Sequence, residues 1–125
     1  MKHLHTGLAA SSEEKASLFF VDILELSKSE SRIIDKRLVR TIFGINHELL
    51  MIHYKGTTVD YEIFVVEGFK APEKQIGHSC LKVTDVKNIV NRCRNAGLKV
   101  VEVSKGTGII TFIADYDGNL FELKE

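Results

Sequence analysis

The 125-residue sequence has no tryptophan, a single proline, only two cysteines and no net charge. Each shortage excludes something. With one proline, Pro72, and an apolar fraction of 44%, the chain is neither linker-rich nor of disordered composition. Cys80 and Cys93 form no CxxC and no zinc-ribbon or redox spacing, so both read as small buried hydrophobes in a reducing compartment. The 17 basic residues are matched by 17 acidic ones, which leaves no basic excess for a nucleic-acid backbone or an anionic membrane surface. No apolar run approaches the ~20 residues that span a bilayer, and the start of the chain has no signal-type apolar core. A cytoplasmic protein with neither nucleic-acid nor membrane partner is therefore expected. A chain of this length buries roughly 65–70% of its unfolded surface in one core, so a single domain over residues 1–125 is expected.

The pattern of what is present is an alternation of strands and helices. Leu4 to Ala10 reads as a strand, and Ser11 with Glu14 fits a capping box that starts a helix. Ala16, Phe19, Phe20 and Ile23 form that helix's apolar stripe. Ser27 to Ser31 reads as a turn, followed by strands over Ile33–Ile45, Leu49–Tyr54 and Thr58–Val66. Residues 67–75, which hold the proline, form a connector. The order then repeats: a strand over Ile76–Val83, and a helix capped by Asp85 with a stripe of Val86, Ile89, Val90 and Cys93 ending at Gly97. Strands over Val100–Val103, Ile109–Ala114 and Leu120–Leu123 follow, separated by segments rich in turn formers. The fold class is α+β: two βαβββ modules, about 1–66 and 76–125.

The two halves overlay at two points. His5-Thr-Gly-Leu8 matches His78-Ser-Cys-Leu81 on the first strands, and Tyr61-Glu62-Ile63 matches Phe121-Glu122-Leu123 on the last. Little other sequence is shared, so the repeat is structural. Side chains alternate across a strand, and the more apolar parity belongs under the helix. That leaves His5, Glu62, His78 and Glu122 on the opposite, concave face. Two imidazoles and two carboxylates suit a borderline divalent cation such as Zn, Ni, Co, Mn or Fe, with positions left for water or substrate oxygens.

The paired modules, the His-x-x-Leu openings and the ending Ile113-Ala-Asp-Tyr-Asp-Gly-Asn-Leu-Phe-Glu-Leu123 resemble the vicinal oxygen chelate superfamily, which includes glyoxalase I, epimerases, extradiol dioxygenases and fosfomycin-resistance proteins. That family commonly closes with Asp-Pro-Asp-Gly-Asn, an apolar pair and a metal-ligating Glu-Leu; Tyr116 stands here in place of the proline. The resemblance implies an eight-stranded half-open barrel around one metal, with ligands at His5, Glu62, His78 and Glu122. A glutamate at the second ligand position is similar to bacterial-type glyoxalase I. The implied activity is lactoylglutathione lyase-type isomerisation of a small vicinal-oxygen substrate. The resemblance implies that the metal would stabilise an enediolate, that Glu122 or Glu62 would act as base, and that a thiol such as glutathione could serve as co-substrate. The resemblance also implies a homodimer whose sites are built within one chain or between two. The alternatives are an epimerase or other superfamily enzyme, or a non-enzymatic small-molecule-sequestering protein.

Three other histidines are set aside as ligands. His3 lies at the terminus, His47 in a turn, and His53 in the third strand, where it can line the pocket. Arg32, Arg37 and Arg40, placed on the long second strand, are the candidates for holding a peptide thiol's carboxylates.

Overall fold

The computed structural model describes residues 1–125, and the chain divides into two compact units, Met1–Phe69 and Lys70–Glu125. The division falls inside the expected connector. Each unit holds one four-stranded mixed sheet, and no ladder joins the two sheets into a closed barrel. The α+β class and the repeated strand-helix plan stand.

In the first unit β1 (Thr6–Ala10) lies parallel to β4 (Asp60–Val65), and β3 (Leu49–Lys55) and β2 (Ser27–Ile34) continue the sheet antiparallel, in the order β1-β4-β3-β2. Helix α1 (Glu13–Ser17) is capped by Ser12, not Ser11: the Ser12 hydroxyl accepts from the Lys15 N–H at 3.1 Å. The helix continues as a π-helical turn over Leu18–Ile23, in which the Leu24 N–H reaches back five residues to the Phe19 carbonyl. The wider turn lets the adjacent Phe19 and Phe20 both be buried, with Ala16 and Ile23 completing the expected stripe. Phe20 packs its ring 5.1 Å from Tyr54 and 5.2 Å from Tyr61. Fully burying each such side chain contributes roughly 1.5–3 kcal/mol, so this cluster anchors the helix to β3 and β4.

The second strand is the main correction. Ser27–Ser31 is not a turn but the start of β2, and the expected strand Ile33–Ile45 breaks at Asp35. Asp35 caps a further helix, α2 (Lys36–Phe43), by accepting from the Arg37 N–H at 2.8 Å. Gly44 ends it at φ 74°, the left-handed conformation that costs glycine nothing. The first half therefore runs β-α-β-α-β-β rather than βαβββ. Of the three arginines placed on one strand, only Arg32 is there; Arg37 and Arg40 lie on α2.

The second unit follows the expected order. Strands β5 (His78–Lys82), β6 (Val100–Lys105), β7 (Gly108–Ala114) and β8 (Leu120–Lys124) form a sheet ordered β5-β8-β7-β6, with β5 parallel to β8. Helix α3 (Val86–Asn95) is capped by Asp85, buries Ile89, Val90 and Cys93, and is followed by Gly97 at φ 73°. Leu81, Thr111, Ile113, Ala114, Phe121 and Leu123 are the buried strand residues of this half. The connector is pinned to the turn before β8: the Ala71 N–H donates to the Asp117 carbonyl at 2.8 Å, and the Gln75 side-chain amide donates to the Gly118 carbonyl.

Candidate functional site

Strand parity sorts the faces as expected. On β4, Tyr61 and Ile63 are buried while Glu62 and Phe64 between and beyond them are half-buried; on β8, Phe121 and Leu123 are buried and Glu122 is half-buried. The register makes the two halves equivalent. His5 stands two residues before Gly7, which pairs with Glu62; His78 stands two residues before Cys80, which pairs with Glu122. In each half this offset brings an imidazole to its carboxylate: His5 Nε2 lies 3.1 Å from Glu62 Oε2, and His78 Nε2 lies 3.5 Å from Glu122 Oε2.

The structure thus gathers the four sequence-selected residues as two histidine–glutamate pairs. Neither unit by itself assembles three or more His, Cys, Asp or Glu side chains able to hold a metal ion.

The surroundings of the second pair bear on whether a cation fits. His78 Nδ1 lies 2.8 Å from the Ile76 carbonyl, which only accepts, so this nitrogen carries the proton. The ring also sits edge-on to Phe112, with centroids 4.9 Å apart. The bond to Ile76 turns the other ring nitrogen, Nε2, toward the Glu122 carboxylate, where both can face one cation. A ring N–H held by a backbone carbonyl is the usual support of a metal-binding histidine. Partial desolvation pushes the Glu122 carboxyl up, but hydrogen bonds from Cys80, Lys124 and His78 and the Lys124 charge outweigh it, so the group lies below the ordinary carboxylate value. Lys124 Nζ stands 3.3 Å from Glu122 Oε1. Donor set and ionisation state both suit a divalent ion.

The first pair has a different neighbourhood. His53 lies directly opposite Glu62 on β3, and its ring is enclosed by carboxylates, with Nε2 2.7 Å from Asp60 Oδ1 and Nδ1 3.6 Å from Glu30 Oε1. Neither ring nitrogen makes a hydrogen bond. His3 is occupied elsewhere, with Nε2 3.3 Å from the Thr6 hydroxyl, and His47 Nδ1 bonds the Glu48 carbonyl before β3.

Beside the first pair the unit forms a half-open cavity of about 500 Å³, bounded by His5, Gly7, Ala9, Phe43, Phe64 and Phe69 among others. Sequence reasoning missed it because it treated α2, which delivers Phe43, as strand. The signal was present: Asp35 and Gly44 bracket an eight-residue segment as cap and stop.

The family model for the glyoxalase/bleomycin resistance protein/dioxygenase superfamily matches residues 2–123. The chain belongs to this superfamily. No curated protein matches its sequence. Among solved structures, the glyoxalase family protein from Enterococcus faecalis is 22% identical with a TM-score of 0.74, covering 99% of this chain and 97% of that one. The fosfomycin resistance protein FosX from Listeria monocytogenes, complexed with Mn(II) and sulfate, is 19% identical with a TM-score of 0.71, covering 98% and 89%. The trypanothione-dependent glyoxalase I of Leishmania major is 20% identical with a TM-score of 0.71, covering 98% and 85%. At these identities the shared property is the glyoxalase-like fold.

Proposed function

We propose that the protein is a divalent-metal-dependent enzyme that isomerises a small vicinal-oxygen compound by proton transfer beside a carbonyl, as glyoxalase I does. His5, Glu62, His78 and Glu122 are the ligands, and the observation that carries this reading is the equivalent register of the two histidine–glutamate pairs. Each pair offers two ligands, whereas a catalytic ion takes three or four from protein. One ion therefore draws on both pairs, in a homodimer whose copies share or each complete a site. The single domain over residues 1–125 and the cytoplasmic location belong to the same proposal, as does a thiol such as glutathione as co-substrate.

The bound cation, one of Zn, Ni, Co, Mn or Fe, would supply charge stabilisation for the oxyanion that develops when the proton leaves. The chain's own residues do the rest. His78, fixed by Ile76 and Phe112, orients one nitrogen without turning. Glu62 and Glu122 are half-buried carboxylates, accessible enough to accept a proton from one carbon and return it to the next.

Metal analysis of protein purified without chelators, with turnover of methylglyoxal plus a thiol, tests the reading. One bound divalent ion per site and turnover that falls at least 100-fold in Glu122→Gln are expected. A protein that takes up no metal on reconstitution refutes it and leaves a sequestering role; a metal-loaded protein without turnover refutes the glyoxalase chemistry.

A further inference from the structure

The cavity beside His5 has no place in the proposed chemistry, yet its construction is specific. Gly7, on β1 opposite Glu62, contributes no side chain, and a Cβ added there would point at the Phe64 ring, 3.6 Å away. The space that a larger residue would fill is open. Phe43, at the end of α2, meets Phe64 with ring centroids 5.2 Å apart at 58°, so helix and strand together give the cavity an aromatic wall. His5 is the one titratable residue on its lining, and no arginine or lysine reaches it. Clamping a carboxylate or phosphonate takes such cations. At about 500 Å³ it falls within the size range of small-molecule pockets.

Resting on the function proposed above, we propose that this cavity is the specificity pocket, and that the substrate carries an apolar, aryl or branched-alkyl, substituent next to its two vicinal oxygens. His5 at the rim joins the two parts: oxygens toward the His5–Glu62 pair, hydrocarbon toward Phe43 and Phe64. An anionic or peptide tail is the wrong chemistry for this wall.

The probes are lactate and mandelate, which share a hydroxyl and a carboxylate on neighbouring carbons and differ only in methyl against phenyl. Binding to the Zn(II)-loaded full chain is followed by NMR titration. Burying roughly 80 Å² of additional apolar surface predicts that mandelate binds about 30-fold tighter than lactate. Its ring protons should show Overhauser contacts to Phe43 and Phe64, and Gly7→Leu should abolish the preference. Equal affinities, contacts to other residues, or a preference that survives Gly7→Leu would overturn the proposal. If Gly7→Leu does not fold, the Overhauser contacts in the wild type still decide. Phe43 and Phe64 resonances that shift with protein concentration alone would also overturn it, since the cavity would then be covered by a second copy. The metal reading fails separately: benzyl alcohol added to chelator-treated protein should still contact both phenylalanines even if no metal binds, whereas metal and lactate binding without the aromatic preference sinks the pocket alone.

Discussion

Replacing Asp115 tests the turn that launches β8 and so positions Glu122. Asp115 is buried, and its carboxylate holds the 115–119 turn by three bonds. Oδ1 accepts from the N–H groups of Asp117 and Asn119, both at 2.9 Å, and Oδ2 accepts from the Asn119 side-chain amide at 2.8 Å. A hydrogen bond contributes about 0.5–1.5 kcal/mol net once exchange with water is counted, so losing all three in Asp115→Ala should cost about 2–4 kcal/mol. Asp115→Asn keeps the shape and the Oδ1 acceptor and should cost about 1 kcal/mol or less. The reason lies in the charge: burial raises the Asp115 carboxyl above its ordinary 3.8, and Asp117 adds to the rise, outweighing the bonds from Asn119 and Asp117 that favour the ion. The folded state therefore binds the proton more tightly than the unfolded chain does. The stability this contributes is fully present below 3.8 and is lost as pH rises through the higher folded value. Urea unfolding of wild type and both variants at a series of pH values from about 3.5 upward measures it. The difference between wild type and Asp115→Asn should shift in favour of wild type as pH falls. An alanine variant no less stable than the asparagine variant, or a wild-type-minus-asparagine difference independent of pH, refutes the reasoning.

Two further perturbations follow from packing and capping. A thiol reagent should modify the native protein at Cys80 and leave Cys93 untouched until unfolding, because burial drives the Cys93 thiol up to about 11; equal reaction of both would contradict the seating of α3. Cys80 itself should react more slowly than a free cysteine, since desolvation, and then its hydrogen bond to Glu122, raises its pKa. Asp35→Ala removes the cap of α2 and should destabilise that helix by about 1 kcal/mol, read as faster amide hydrogen exchange over Arg40 to Phe43; unchanged exchange would show that the cap carries nothing.

What the sequence made legible is what a repeating physical rule controls. Ala16, Phe19, Phe20 and Ile23 were identifiable because helical spacing must place buried residues on one face, and all four are buried. Parity identified Glu62 between Tyr61 and Ile63, and Glu122 between Phe121 and Leu123, because a strand cannot bury both faces of such a sequence. The helix at Lys36–Phe43 escaped for an equally physical reason. Val39 and Ile42 are β-branched, and the segment continues directly from Ile33 and Ile34, so propensity alone extends the strand. The decisive signals, Asp35 and Gly44, act at the ends and need to be read before the interior. The charged Ser27–Ser31 was mistaken for a turn because β2 is the edge of its sheet, where exposed polar side chains are what a strand carries. Ser11 and Ser12 differ by one position, and a cap is settled only by which hydroxyl meets a free N–H.

The structural repeat shows how one register supports two environments. Opposite Glu62 stands His53, and opposite Glu122 stands Phe112; two residues past the histidines stand Gly7 and Cys80. These exchanges leave each imidazole within 3.5 Å of its carboxylate, because that spacing comes from the backbone ladder rather than from the neighbours. The neighbours are then free to differ. Gly7, with Phe43 brought by the additional helix, opens space beside the first pair, while Cys80 and Lys124 surround the second carboxylate with donors that keep it ionised. A ladder that holds two positions constant while its adjacent positions vary explains how pairs of the same composition come to sit one beside an apolar cavity and the other among donors. It also explains why Gly7, a residue with no chemistry of its own, is the position at which a single side chain should alter selectivity without displacing a ligand.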